Sequence, residues 1–249
     1  MIGSPDIYNT MLFFLLTLLL SIAALITVMA NKLTITAAVT GVLVALLIFK
    51  GSGYTGLVLM AAFFMLGTLA TSLGIQQKQK LGIAEVNKGK RNAAQVLANA
   101  GVAALLGFGG LIFTQYQLLC SLMIAASFSS ATADTLSSEL GNIFGKRFYN
   151  ILSFKKDTRG LNGVISLEGT LCGLAGSIII ATIYALGNGF DTGFVIVVIA
   201  GTIGNLFDSL LGATLERNGA IKNNAVNFLN TLIAAITGGL MWYLTSYTT

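Results

Sequence analysis

Two acidic residues stand where acids are costly. The stretch ATADTLSSELG, residues 131–141, carries Asp134 and Glu139 with Thr135, Ser137 and Ser138, inside a segment apolar and long enough to cross a bilayer. A carboxylate facing lipid at mid-membrane depth costs roughly 3 kcal/mol or more, so such residues turn to the protein interior or a watery cavity and point to a function. The setting recurs. FDSLLGATLE (207–216) repeats the order of ADTLSSELGN (133–142): an Asp, then Ser or Thr, then Leu, then small residues. Two equivalent hairpins facing each other would bring Asp134 and Asp208 together. Two like charges in one cleft repel, and a proton or a cation must sit between them. The chain has no histidine, and its two cysteines, Cys120 and Cys172, stand alone in apolar runs. A Ser-His-Asp triad, a His or thiolate metal site and a His base are thereby excluded. A cation held here must be a hard one on oxygen ligands, with Mg²⁺ the default when phosphates share its shell.

The elements that must position these residues follow from hydropathy. Of 249 residues, 55% are hydrophobic and 9% charged, and the mean hydropathy is +0.84. This excludes an ordinary soluble enzyme and predicts an all-α, polytopic transmembrane bundle. Eight apolar segments stand out, at 7–30, 32–50, 54–74, 93–113, 117–140, 164–187, 191–213 and 225–247. The first lacks a basic leading region and a small-residue cleavage site, so it reads as a retained helix. One integral membrane domain, 1–249, is expected, with apolar helices over 1–75 and catalytic helices with basic loops over 76–249. The stretch GTLCGLAG (169–176) reads as a helix-packing pattern of small residues.

Eight crossings assign the loops alternately to two sides. Of the 14 basic residues only Lys50 falls on the side opposite the rest. The basic side is predicted to be cytoplasmic, and both termini outside. The expected location is a prokaryotic cell membrane.

Depth sorts the polar residues. Asn92, Gln95 and Asn99 share one helical face at the start of the fourth segment, and Asp134, Ser138 and Gly141 share one at the end of the fifth. Asn162, Ser166 and Glu168 open the sixth. Asn205 and Asp208, with Ser209 beside them, lie near the end of the seventh, and Asn223, Asn227 and Asn230 open the eighth. The bland alternatives are N-caps for Asn162 and Asn223 and backbone bonding for the hydroxyls. The depth and side that all these groups share predict one polar cleft facing the cytoplasm, built by segments four to eight.

A hard cation, basic glycine-bearing loops and such a cleft suit phosphoryl or nucleotidyl transfer onto a lipid, which needs positioning and charge more than covalent work. There is no Walker A motif, since GNIFGKR (141–147) lacks the spacing and the final hydroxyl. The five motifs RNAAQVLANAG (91–101), ATADTLSSELG (131–141), LNGVISLEGTLCGLAG (161–176), GNLFDSLLGATLE (204–216) and NNAVNFLNT (223–231) together resemble the membrane family that includes the plant phytyl-phosphate kinase of the vitamin E pathway. A looser likeness extends to the CTP-dependent phytol and dolichol kinases and CDP-diacylglycerol synthase. One departure is Ala100, which displaces the usual glycine to Gly101.

The resemblance implies transfer of a phosphoryl group from CTP or another nucleoside triphosphate to a prenyl monophosphate, with Mg²⁺. On that reading Asp134 and Asp208 bind the metal, and Glu139 is a third ligand or a base. Asn99, Asn162 and Asn227 hold phosphate or metal-bound water, and Arg91, Lys146, Arg147 and Lys155 meet the nucleotide phosphates. Gln95, Ser138, Ser166, Glu168, Asn205, Ser209 and Asn223 complete the substrate and nucleotide contacts. Implied partners are a prenyl phosphate lipid whose tail lies in an apolar groove, CTP or another triphosphate, and membrane lipids. A homodimer is left open, and nothing points to nucleic acid. Two other activities remain open: an ion-coupled transporter using the Asp134 and Asp208 hairpins, and cytidylyl transfer to a lipid phosphate.

Overall fold

Gly53 folds what would be one very long helix back on itself. The structure, a computed structural model, describes residues 5–84 and 89–246; Lys88 of the first basic loop and the expected last residue of the eighth segment lie outside them. Helix α1 runs Pro5–Met29 and α2 runs Ile35–Ser72. Inside α2, Gly53 has φ 60 and ψ −150, a conformation that only glycine adopts cheaply. A straight helix of that length would separate its ends by about 57 Å. Instead Lys32 Nζ lies 3.2 Å from Ser72 Oγ. The two arms of α2 therefore lie side by side, and they are the expected second and third segments. Among the described residues seven helices are long and apolar enough to span a bilayer. With the two arms of α2 counted separately, the described residues hold eight segments for the eight expected passes.

The remaining elements are α3 (Ile75–Lys80), α4 (Ala93–Ile112), α5 (Gln117–Phe144), α6 (Leu167–Asn188), α7 (Thr192–Leu211) and α8 (Asn223–Ser246). A π-helical turn, Gly212–Glu216, extends α7. The all-α expectation holds apart from a ribbon of two short antiparallel strands, β1 (Tyr149–Asn150) and β2 (Val164–Ile165). Two-residue strands carry no periodic signal, so hydropathy does not show them. They pinch the base of the loop between α5 and α6.

Helix α5 is the axis of the bundle and packs against α2, α4, α6, α7 and α8. Its sequence explains this. Ala125, Ala126, Ser127, Ser129, Ser130 and Ala131 are all buried and small, so neighbouring backbones approach closely. A Cβ added at Gly201 of α7 would come within 2.5 Å of Ser129 Cβ, and one at Gly141 within 2.9 Å of Gly169 Cα on α6. The GTLCGLAG stretch thus serves packing, as expected. Around the middle of α5 the core is apolar, with Leu59, Phe63, Ile124, Phe128, Ile180 and Ile196 buried together. Exposed Leu19, Leu69, Leu105 and Leu240 face outward, where lipid would lie. Polar residues gather at the end of the bundle that carries the basic loops.

Candidate functional site

At that end α5 and α7 place their acids against each other. The Asp134 and Asp208 carboxyls approach within hydrogen-bonding reach, although the two residues come from different halves of the repeat. Asn230 of α8 donates from Nδ2 to Asp208 Oδ2 at 2.6 Å, and its own Oδ1 accepts from Ser130 Oγ at 3.2 Å. One fully buried amide therefore ties α5, α7 and α8 together beneath the acids. Beside it, Ser137 Oγ lies 3.1 Å from Asn205 Oδ1. Expected facing of the two Asp hairpins is what the geometry has.

Two polar cavities meet at this pair. The first, about 180 Å³, is walled by Asp134 and Ser138 of α5, by Asn205, Asp208 and Ser209 of α7, by Asn223, and by Asn162 and Ser166 of the loop before α6. The second, also about 180 Å³, is walled by Arg91, Gln95 and Asn99 of α4, Glu139 of α5 and Asn227 of α8. Asp134, Ser138 and Asn223 line both. The two form one cleft with Asp134 at the junction.

Several of these side chains also hold the frame. Gln95 and Asn92 form a reciprocal cap at the start of α4, at 2.9 and 3.0 Å. Asn99 Nδ2 donates to the Gln95 carbonyl at 3.0 Å. Ser166 is the N-cap of α6 and accepts from Gly169 N–H at 3.1 Å, the duty that the sequence offers to Asn162. Ser138 Oγ returns to the Thr135 carbonyl at 3.2 Å. By contrast, Asn227 Oδ1 is buried without a hydrogen-bond partner. A buried acceptor left unpaired is costly unless a ligand supplies the donor.

Four expected residues lie outside both cavities. Lys146, Arg147 and Lys155 are exposed on the loop after α5. Glu168 accepts from the Lys146 backbone N–H at 3.4 Å and so fastens that turn. Glu139 has a partner that hydropathy does not show. Lys78 of α3, only 1% exposed, ion-pairs with Glu139 and donates to the Ala70 and Thr71 carbonyls at 3.0 and 2.9 Å.

The structure adds Glu216 to the wall of the first cavity and sets Arg159, which lines neither cavity, behind it. The π turn carries Glu216 into the first cavity, where it contacts Asn223; such turns concentrate at functional sites. Glu216 ends the quoted repeat, so its presence near Asp208 was readable. Arg159 stacks its guanidinium 5.4 Å from the ring of Phe148, which lines the first cavity. Its Nε and Nη2 are buried with no hydrogen-bond partner. Nearby, Arg217 holds the loop by a 2.8 Å bond to Asp157.

Could this set hold a divalent cation? Among the described residues no three acidic, His or Cys groups gather into a metal cluster. Asp134, Glu139 and Asp208 are therefore not a three-carboxylate shell, because Glu139 is committed to Lys78. The facing carboxyls of Asp134 and Asp208, with the amide oxygens around them, still form the all-oxygen set that a hard cation takes when phosphates complete its shell.

Fold and cleft together define a polytopic, α-helical integral membrane protein with a shared acid and amide site among its later helices. The chain belongs to the family described as Integral membrane protein DUF92, which it matches over residues 17–235. It is 34% identical over 209 residues to Protein VTE6, chloroplastic, of Arabidopsis thaliana, covering 80% of this chain and 62% of that protein. The chain thus spans about three fifths of that relative's length. It is 33% identical over 195 residues to the uncharacterized membrane protein sll0875 of Synechocystis, covering 76% of this chain and 74% of the other. With the uncharacterized membrane protein MJ0933 of Methanocaldococcus jannaschii the figures are 34% over 191 residues, 76% and 77%. No solved structure matches the chain.

Proposed function

We propose that the cleft transfers a phosphoryl group from a nucleoside triphosphate, CTP favoured, to a prenyl monophosphate, giving the prenyl diphosphate. The observation that carries this is the contact of Asp134 with Asp208 at the junction of two polar cavities. One cavity can seat each phosphate-bearing substrate. The motif resemblance to the phytyl-phosphate kinase family supports the reading, and so does the identity to VTE6.

An oxygen of the acceptor phosphate attacks the γ-phosphorus of the donor. A new P–O bond forms, the bond to the β-phosphate oxygen breaks, and the nucleoside diphosphate leaves. A phosphate monoester has a second pKa of about 6, so the attacking oxygen is already ionised near neutral pH and needs no strong base. Asn227, with its unpaired Oδ1, and Asn223 hold the acceptor side, and Arg159, which sits behind the Phe148 wall of the first cavity, would turn its two unpaired donors to the nucleotide phosphates. Asp134 and Asp208 would hold Mg²⁺, which when bound offsets negative charge on the phosphate oxygens. Asn230 and Ser130 keep Asp208 aimed into the cleft. We place the cleft on the cytoplasmic side and both termini outside, because basic loops favour that side.

The test uses purified full-length protein with a prenyl monophosphate, Mg²⁺ and each of the four nucleoside triphosphates. Mass spectrometry should detect the prenyl diphosphate and an equal yield of nucleoside diphosphate. A CMP-linked lipid would move the assignment to cytidylyl transfer. No product with any donor, beside ion-coupled uptake in vesicles, would replace it with transport.

A further inference from the structure

A cavity of about 210 Å³ lies between α1, the two arms of α2 and the start of α4, away from the acids. Its walls include Leu20 and Ala24 of α1, Gly41 and Ala45 of the first arm, and Met60 and Phe64 of the second. Gly41 shows what keeps it open. A Cβ added there would meet nothing within 4 Å, so no close backbone approach demands a glycine. The space is only partly enclosed and its walls are almost wholly apolar, so it admits an apolar chain from outside the bundle.

One end of this chamber is different. Arg91 and Gln95 line it and also line the second polar cavity. The Arg91 guanidinium lies 5.1 Å from the Phe63 ring and 5.5 Å from the Phe64 ring. Aromatic faces hold the cation at the boundary between hydrocarbon and polar space. The chamber is therefore apolar along its walls and cationic at its mouth, and the mouth adjoins the cleft that contains Asp134. That gradient matches an amphiphile with one hydrocarbon tail and one anionic head.

We propose that this chamber houses the isoprenoid tail of the acceptor, and that Arg91 holds the acceptor's phosphate at its mouth beside Asp134. The identity of the acceptor rests on the function proposed above; the place of the tail rests on the cavity. Helix α1, which packs chiefly against α2, becomes one wall of the substrate site rather than a mere anchor.

The experiment uses a prenyl monophosphate with a photoreactive diazirine at the far end of its tail. The full chain, in phospholipid nanodiscs without nucleotide, is irradiated, digested and mapped by mass spectrometry. Labels should fall on residues of α1 and the α2 arms and should disappear with excess unlabelled prenyl phosphate. Labels in the outer groove beside Leu105, Phe108 and Phe228, which is also apolar, would overturn the proposal. So would α1 and α2 labels that excess phospholipid removes and prenyl phosphate does not. Gly41→Leu should weaken labelling and raise the KM for the lipid about tenfold, the effect of excluding one or two methylenes, with the KM for nucleotide unchanged. A Gly41→Leu protein whose lipid KM stays at the wild-type value would count against the chamber. Competed labels on α1 and α2 without turnover would leave this site standing and remove the kinase assignment; turnover with labels elsewhere would do the reverse.

Discussion

Asn230 reaches Asp208 at 2.6 Å from a position that is itself fully buried. A buried amide bonded to a carboxylate fixes which way the acid points. Because Asn230 also accepts from Ser130, the acid is anchored to the helix that carries Asp134.

This arrangement separates holding from acting. Asp134→Asn and Asp208→Asn should each lower turnover by about 10²-fold or more, the scale for removing a group that stabilises charge in the transition state, with helical content by circular dichroism unchanged. Asn230→Ala removes the bond to Asp208 and the one from Ser130; it should lower kcat by about tenfold, with a weaker Mg²⁺ dependence. If Asn230→Ala matches wild type in both kcat and Mg²⁺ titration, the anchor has no catalytic role.

The Lys78 and Glu139 pair makes a different prediction. Lys78 is sealed under the end of the second α2 arm by two carbonyls and one carboxylate. Removing one member leaves an uncompensated buried charge, which costs about 3–5 kcal/mol. Glu139→Gln and Lys78→Met should each lower the melting temperature clearly, and the double variant should recover most of the loss. A Glu139→Gln protein with wild-type melting but no turnover would instead return Glu139 to the chemistry.

The eight passes were legible because bilayer depth imposes a strong pattern: apolar runs of fixed length, with Asp134, Glu139 and Asp208 displaced to the end that carries the basic loops. The meeting of Asp134 and Asp208 was legible from the repeat. Lys78 was not, since a lysine in a loop looks like any topology-setting charge until α3 folds it inward. In sequence Ser166 and Gln95 look like ligand contacts, and the structure gives each a capping bond, because the residue types that cap helices are also those that bind phosphates. Arg159 was invisible for a related reason. Its stacking on Phe148 depends on how the loop between α5 and α6 closes, and the two-residue strands that close it leave no sequence period.

Arg159 can be tested by substrate. Its unpaired Nε and Nη2 should meet the donor nucleotide rather than the lipid. Arg159→Ala should raise the KM for the triphosphate about tenfold, consistent with a charge-assisted hydrogen bond of roughly 1.5–3 kcal/mol, and leave the lipid KM in place. Arg159→Lys should recover little, because a lysine cannot offer two donors in a fixed plane. A rise confined to the lipid KM would reassign the residue to the acceptor.

The loop that carries Arg159 is itself held by Asp157 and Arg217 at 2.8 Å. The hydrogen bond from Arg217, with one from the Thr158 backbone, keeps the Asp157 carboxyl below the usual carboxylate range. A carboxyl whose value is lowered in the folded protein contributes fully above its unfolded value, about 3.9. The contribution fades as pH falls through the lowered value. The loop should therefore be anchored across the neutral range and loosen only in strong acid. A spin label at Lys155, read by electron paramagnetic resonance, should show constant mobility from neutral pH down to about 4 and a rise below it. Asp157→Asn should be mobile at every pH. If it instead tracks the wild-type curve, some other group ties the loop, and the anchoring of Arg159 must be sought elsewhere in the ribbon.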